Sequence, residues 1–286
     1  MDSVEKAIAF FEKDSSVKVH SISRVGGGTG NDVFLVNFQH IVRIKKKNEV
    51  DDPFNTPITE GSAIAAAQQV DGAPIVPLNA YNVRTGDKIE MAILETEPLL
   101  SPLSVVTREN LHRVIDAIKI LHEGKTKIQF HHKERFNSYK KKSGERLPAG
   151  FEKKVVATAF RIFDNEPQVL SHNDLWEGNI LLTPDNGRCY FIDFEFASSN
   201  ADVFDLASLL EENEIDEDLC AEAVSYYYHS DDPALLEKVQ QVMLYLDALW
   251  FYWAMARYHE TGKETFFSIA KTKKARFLRA FHASLN

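Results

Sequence analysis

The sequence has little cysteine, no long apolar run and no excess of basic residues. Two cysteines in 286 residues are too few for a disulfide framework. Lys and Arg total 33 against 42 Asp and Glu, and the net charge of −9 argues against a general nucleic-acid-binding surface. The most apolar stretch, residues 242–256, contains Asp247 and is shorter than the roughly 20 residues that span a bilayer. These absences predict a soluble cytoplasmic protein that binds neither nucleic acid nor membrane.

The order of predicted elements divides the chain into two lobes. A helix over 2–14 precedes strand-like segments at 17–22, 33–38, 41–44 and 89–94, and a helix over 58–70 interrupts them. From residue 107 onward helical patterns dominate, with short strands just before His172 and Asp193; the basic stretch 131–150 is predicted to be a loop or irregular helix. The sequence therefore predicts an α+β protein with a small β-rich N-terminal lobe, residues 1–97, and a larger, mainly helical lobe, residues 98–286.

The residues with the clearest chemical meaning lie between 169 and 199. Asp174 and Asn179 are five residues apart, and Asp193 follows a predicted hairpin that would place it beside Asn179. Phosphoryl transfer from a nucleotide needs one carboxylate to take the proton of the acceptor hydroxyl, and oxygen ligands to hold Mg²⁺ against the phosphates. Asp174 would be the base, and Asn179 and Asp193 the metal ligands. The spacing alone also occurs in polar surface turns, but His172 and the flanking apolar strands favour the catalytic interpretation.

The segment HNDLWEGNILL and the following YFIDFEFASSNADVFDLASLLEEN resemble the aminoglycoside phosphotransferase/choline kinase superfamily, and within it the bacterial choline kinases. The likeness is sharpest over residues 169–212 and 244–256. It implies a two-lobed fold like that of the protein kinases, ATP as the phosphate donor and Mg²⁺ as the cofactor. It also implies that His172 and Asp205 support the catalytic loop by hydrogen bonds.

The resemblance implies a nucleotide site in the N-terminal lobe. A glycine cluster, Gly26–Gly30, lies between two strands and could cradle phosphates, although a flexible hairpin turn would look the same. In the family pattern the Asn directly follows the Thr, whereas here Asn31 comes one residue later. Arg43 would bind phosphate and pair with Glu60, whereas a solvent-facing Arg43 is the alternative. The predicted nucleotide-binding residues are Gly27, Gly28, Thr29, Asn31, Arg43, Glu60, Ile93 and Leu94.

The predicted acceptor is a small cationic alcohol. A quaternary ammonium has no N–H donor, so aromatic faces bind it through cation–π attraction. Trp250 and Trp253 share one face of an apolar helix and resemble the two tryptophans of the choline pocket, although spacing alone fits ordinary core packing. Asp247, one turn earlier, would balance the ligand charge or pair within the protein. The predicted substrate-binding residues are Trp176, Glu195, Phe196, Glu212, Trp250 and Trp253.

Choline kinase activity is therefore the predicted function. Ethanolamine, thiamine or an aminoglycoside are alternative acceptors, and a catalytically silent nucleotide-binding regulator is an alternative of another class. Residues 271–282 hold five Lys and Arg and no acid, which counts against a polycationic aminoglycoside. The acidic run 211–218 is predicted to be a solvated loop apart from Glu212, and the remaining histidines, including His131 and His132, are predicted to lie on the surface. The sequence gives no prediction of the oligomeric state.

Overall fold

The computed structural model describes residues 2–26, 31–45, 52, 54–76, 80–84, 87–93, 101–102, 107–183 and 188–285. The helices are α1 (Ser3–Ser15), α2 (Pro57–Ala67), α3 (Arg108–Leu121), α4 (His132–Ser143), α5 (Ala149–Asn165), α6 (Val203–Glu212), α7 (Glu217–Tyr228), α8 (Pro233–Thr261) and α9 (Glu264–Ala283). The strands are β1 (Ile22–Gly26), β2 (Asn31–Val36), β3 (His40–Lys45), β4 (Ala80–Arg84), β5 (Asp87–Ile93), β6 (Ser101–Pro102), β7 (Gln168–Ser171), β8 (Ile180–Leu182), β9 (Cys189–Phe191) and β10 (Ser198–Ala201).

The first five strands form one antiparallel sheet in the order β1-β2-β3-β5-β4. Alternate residues of β2 are buried, as expected for a strand with one face on a core. That face packs with α1 in a small separate core formed by Ala7, Phe10, Phe11, Phe34, Val36, Val42 and Ile44. The predicted strand over 17–22 is wrong: β1 begins at Ile22, because its partner β2 ends opposite that residue at Val36. The predicted lobe boundary at 97 and 98 lies outside the described residues.

The C-terminal part is mainly helical and is built around α8. This helix has 29 residues, and its side chains from Tyr245 to Tyr252 are all buried between α4, α6 and α9. Two small sheets, β10-β7 and β6-β8-β9, lie on one side and carry the loops that hold the predicted catalytic residues. No helix in the described part of the chain is both long and apolar enough to cross a membrane.

Most of the basic stretch 131–150 is regular helix, because residues 132–143 form α4, and residues 144–148 between α4 and α5 lack regular secondary structure. Most residues of α4 are polar, yet Arg135, Phe136 and Tyr139 are buried on one side of it. Burial of one face stabilises a helix whose sequence has little amphipathic pattern, since tertiary packing contributes more than local propensity.

Candidate active site

Asp174 and Asn179 lie at the two ends of one short loop that follows β7. The side-chain amide of Asn179 donates to the backbone carbonyl oxygen of Asp174 and to its carboxylate Oδ2, each at 2.9 Å. Asn179 is buried, so these two bonds fix the orientation of its amide group. With its nitrogen bound to Asp174, the amide directs its oxygen away from that carboxylate.

Asp205, at the start of α6, holds the beginning of this loop. Its carboxylate is fully buried and accepts from the backbone N–H groups of His172 at 2.8 Å and Asn173 at 2.7 Å. A third donor is Nε2 of His122, at 3.0 Å. Charge-assisted bonds of this kind are roughly twice as strong as neutral ones, so the loop has a rigid base.

His172 links this loop to the end of β9, just before Asp193. Its Nε2 donates to the backbone carbonyl oxygen of Ile192 at 2.9 Å, and its ring packs between Phe191 and Phe194. Burial lowers the pKa of His172, which keeps the imidazole neutral. The side chain therefore acts as a structural link, as the sequence resemblance implies.

The β8-β9 hairpin brings Asn179 and Asp193 together. Ile180 pairs with Phe191 across the hairpin, and the N–H of Ile192 donates to the carbonyl oxygen of Asn179 at 3.0 Å. Both residues therefore leave the same end of the hairpin. Asp193 has a left-handed backbone with φ of 65°, an uncommon conformation outside glycine that aims the chain into the following turn. The turn residues 184–187 lie outside the described residues.

Arg43 connects the N-terminal sheet to Asp193. Its guanidinium forms an ion pair with Glu60 of α2, and its Nη1 donates to Oδ1 of Asp193 at 3.0 Å. Burial by itself would lower the pKa of Arg43, but the carboxylates of Glu60 and Asp193 outweigh it and raise the pKa. The solvent-facing alternative for Arg43 is thus wrong, because its charge faces a cleft lined by carboxylates.

Several carboxylates converge on this cleft. Burial, together with the nearby charges of Glu212 and Asp193, raises the pKa of Asp174 to about 8. Glu195 is exposed and lies near Asp193, Glu60 and Asp174. So many like charges in one place favour the binding of cations, either a metal ion or the positive end of a ligand.

The oxygen atoms of Asn179 and Asp193 fit a divalent cation. Mg²⁺ prefers oxygen ligands and is commonly held by one or two protein side chains together with substrate phosphates. The amide of Asn179 is fixed through its nitrogen, which leaves its oxygen available as a ligand, and the carboxylate of Asp193 is only half-buried. This donor set is compatible with a nucleotide-bound Mg²⁺.

Three of the four aromatic residues predicted to bind the acceptor form a chain of ring contacts, Phe196 to Trp250 to Trp253. Phe196 meets Trp250 edge to face at a centroid distance of 5.3 Å, and Trp250 meets Trp253 in the same manner at 5.8 Å. Trp250 is buried, and its indole Nε1 has no hydrogen-bond partner among the described residues. Trp176 is 45% exposed, and its indole covers Gly178, where any side chain would collide with the ring.

One sequence prediction about the charged residues near the site is wrong, and one alternative that the sequence left open is decided. Glu211 is not solvated but buried, where it pairs with Lys273 and Arg276 of α9. Glu212 is also paired, with Lys273 at 2.8 Å. The alternatives for Asp247 resolve to an internal pair, since its Oδ1 accepts from Nε of Arg276 at 2.9 Å.

The histidines are not all on the surface. His122 is buried beside Asp205, as described above. His132 stacks on Phe163 with ring centroids 4.0 Å apart and donates from Nε2 to Oδ1 of Asn200 at 2.7 Å. His131, by contrast, is exposed.

Part of the predicted nucleotide site falls outside the described residues, namely Gly27, Gly28, Thr29 and Leu94. Asn31 begins β2 opposite Lys45, and Ile93 ends β5 opposite His40. Both therefore lie in the N-terminal sheet that also carries Arg43.

Sequence reasoning missed three residues that organise the site. Asn173 has φ of 67°, and its side-chain amide donates to the carbonyl oxygen of Phe196 at 2.9 Å. Lys273 forms ion pairs with the two glutamates at the end of α6, and Arg135 contacts Phe196. An Asn beside the catalytic motif was a usable signal, because Asn adopts left-handed backbone conformations readily. Arg135 and Lys273 lie in basic runs, where nothing distinguishes them from their exposed neighbours.

Comparison with known proteins agrees with the motifs. Residues 108–234 match the family model described as choline/ethanolamine kinase. A choline/ethanolamine kinase family protein from Mesorhizobium loti has a similar structure, with a TM-score of 0.75 and 22% identity over 96% of this chain and 94% of that one. Choline kinase LicA from Streptococcus pneumoniae has a TM-score of 0.74 and 20% identity, over 98% of this chain and 99% of that one. The structure of LicA in complex with AMP has a TM-score of 0.65 and 19% identity, over 97% of this chain and 100% of that one.

No curated protein matches the sequence. The resemblance is nevertheless confirmed at the level of the choline/ethanolamine kinase family, since the segment matched by that family model contains Asp174, Asn179, Asp193 and Asp205. The predicted α+β, kinase-like fold is also confirmed, since both lobes of the chain are covered by the structural matches.

Proposed function

We propose that the protein transfers the γ-phosphate of ATP to the hydroxyl group of choline, giving phosphocholine. The observation that carries this proposal is the convergence of Asp174, Asn179 and Asp193 on one cleft, at the ends of a single loop and a single hairpin. A family model that covers this segment, and a similar fold that binds AMP in LicA, support the same reaction class.

Asp174 would act on the acceptor. Its carboxylate would accept the proton of the hydroxyl as that oxygen forms a bond to the γ-phosphorus and the bond from phosphorus to the ADP oxygen breaks. Burial and the neighbouring carboxylates of Glu212 and Asp193 raise the pKa of Asp174, and a cation beside it would favour the ionised form that accepts a proton. Bound Mg²⁺ would neutralise the phosphate charge, and Asn179 and Asp193 would hold it. Arg43, oriented by Glu60, would hold the phosphates from the N-terminal side, together with the glycine loop at Gly27, Gly28, Thr29 and Asn31.

The acceptor pocket would use aromatic rings. Trp250 and Phe196 are already in contact, and a cation resting against such rings gains up to about 2 kcal/mol when water is excluded. Trp253 supports Trp250 from the far side, where it also packs on Phe266. Trp176 would cover the catalytic loop, and Glu195 and Glu212 would supply negative charge. Ethanolamine would bind such a pocket less tightly, because its N–H groups need hydrogen-bond acceptors that aromatic rings do not supply.

The test is a steady-state measurement of ADP release with Mg-ATP and one acceptor at a time. We expect kcat/KM for choline to exceed that for ethanolamine and kanamycin by at least about 10-fold, which corresponds to roughly 1.4 kcal/mol of differential binding. A higher value for ethanolamine would reassign the acceptor within the same family. Nucleotide binding without transfer to any acceptor would identify a silent regulator and overturn the proposal.

A further inference from the structure

One buried arginine, outside the residues discussed for catalysis, contacts the segments on both sides of the cleft. The side chain of Arg135 on α4 is 1% exposed. Its Nε donates to the carbonyl oxygen of Phe130 at 3.0 Å, and its Nη1 donates at 3.0 Å to both Oδ1 of Asn55 and the hydroxyl of Tyr139. A buried guanidinium is tolerated only with such partners, because an unpaired buried charge is very costly.

Aromatic rings complete the surroundings of this charge. The guanidinium carbon lies 4.5 Å from the ring centroid of Phe130, 4.9 Å from Phe54 and 5.6 Å from Phe196. Arginine is suited to such a position, since its flat group stacks on rings while its edge donates hydrogen bonds. Phe196 therefore has two different neighbours. The guanidinium of Arg135 lies over its ring, and Trp250 meets it edge to face.

The first of the connected segments precedes α2. Asn55 and Phe54 both contact Arg135, and the hydroxyl of Tyr139 donates to Oδ2 of Asp52 at 2.6 Å. We call residues 52, 54 and 55 the strap. Thr56 follows the strap directly and caps α2 through its hydroxyl, which accepts from the N–H of Thr59. The next residue of α2, Glu60, forms the ion pair with Arg43.

The second segment follows Asp193. Phe196 ends the single turn of 3₁₀ helix that begins one residue after Asp193, and this turn packs against α2. Phe130, which also contacts Arg135, is fixed to the same region because Ser199 and the 128–130 backbone exchange hydrogen bonds. Arg135 thus bonds or stacks with the residues that precede Glu60 and with the residues that follow Asp193.

We propose that Arg135 is a positioning residue that sets the distance between Glu60 and Asp193, and so holds Arg43 in place for the nucleotide phosphates. Arg43 bonds both carboxylates at once, so a displacement of α2 relative to the 194–196 turn would break one of the two contacts. The link to phosphate binding rests on the proposed function; the effect on α2 does not. Arg135 itself touches neither of the groups that would react.

Replacement of Arg135 could prevent folding, so the test uses its neutral partners. Tyr139→Phe removes the hydroxyl shared by Arg135 and Asp52, and Asn55→Ala removes the acceptor in the strap. Tyr245→Phe is the matched control: it removes another buried tyrosine hydroxyl, whose one described contact is His132 at 3.4 Å. Hydrogen exchange of the α2 amides is followed without ligand. The dissociation constant of Mg-ATP and the KM of the acceptor are measured on the same proteins.

We expect Tyr139→Phe and Asn55→Ala to speed exchange across α2 and to weaken Mg-ATP binding about 3- to 10-fold, the range for loss of one hydrogen bond, with the acceptor KM changed less than 2-fold. Tyr245→Phe should lower thermal stability without either effect. Lower stability with unchanged α2 exchange in Tyr139→Phe and Asn55→Ala would overturn the proposal. If the wild-type chain binds no nucleotide, the proposed function fails, while α2 exchange still decides the role of Arg135.

Discussion

The ammonium group of Lys273 lies 2.8 Å from the carboxylate of Glu212, the acid expected to face the cation of the acceptor. The same nitrogen is 2.6 and 2.8 Å from the two carboxylate oxygens of Glu211. Lys273 is buried in α9, so this arrangement is part of the folded interior. A cation that belongs to the protein already offsets much of the negative charge of Glu212, which leaves a larger share of acceptor recognition to the aromatic rings.

Loss of an aromatic ring from the acceptor pocket should therefore raise the KM for choline more than loss of the Glu212 charge. We expect Trp250→Leu to raise the KM for choline about 10-fold, equivalent to roughly 1.4 kcal/mol for one ring. Glu212→Gln should raise it less than about 3-fold, because Lys273 keeps its second partner, Glu211. Phe251→Leu is the control, since Phe251 is buried on the same helix but packs against Tyr252 and Lys274. Acceptor titrations at saturating ATP give the three values. A larger effect of Glu212→Gln would assign recognition to the carboxylate.

Loss of the Lys273 charge should be costly for stability. Lys273→Met leaves the buried Glu211 with Arg276 as its remaining described partner and removes the pair of the partly buried Glu212, and breaking a buried ion pair typically costs about 3–5 kcal/mol. Lys271→Met, two residues earlier on the exposed side of α9, should change the free energy of unfolding by less than about 0.5 kcal/mol. Chemical denaturation measures both. Equal, small losses would mean that the buried pair contributes little.

Asp174→Asn should abolish most turnover. The change keeps the shape of the side chain and removes the proton acceptor, and a positioned base contributes about 10²- to 10⁴-fold to rate. We expect kcat to fall within that range while the dissociation constant of ATP stays within about 3-fold. Glu177→Gln removes an exposed acid three residues along the same loop and should leave kcat unchanged. A nearly normal kcat in Asp174→Asn would require another base.

His132 should make stability depend on pH. Burial is the main cause that lowers the pKa of His132 to about 3, against an ordinary value of 6.5. The unfolded chain therefore binds a proton more readily, so the stability contribution is present above pH 6.5 and is lost as the pH falls toward 3. Between pH 7 and pH 5 this group should lower the free energy of unfolding by about 2 kcal/mol.

The comparison variant for this effect is His132→Gln, which can still donate to Asn200 but does not titrate. Its free energy of unfolding should be lower at pH 7, because the ring stacking on Phe163 is lost, and should change less between pH 7 and pH 5. Urea denaturation of both proteins at the two pH values isolates the histidine, since other groups titrate alike in each. Parallel pH slopes would contradict the assignment.

The sequence by itself determined the loop from Asp174 to Asn179 and the hairpin that follows it. Asp174 and Asn179 are five residues apart, and Asn179 is joined to Asp193 by two short apolar strands, so short-range geometry alone brings the three side chains to one end of the hairpin. Short strands separated by turn signals predicted the sheet of the N-terminal lobe. A strongly apolar helical stretch predicted part of α8, where the side chains from Tyr245 to Tyr252 are all buried.

Only the tertiary structure decided which charges are buried and what they contact. Arg135 meets Asn55, 80 residues away, and Lys273 meets Glu211, 62 residues away. In the sequence both belong to basic runs, and His132 is one of two adjacent histidines. Local pattern gives the polarity of a residue, but the free energy of burying a charge depends on partners that only the folded chain supplies. The same reason explains why α4 forms a helix where the sequence predicts an irregular segment.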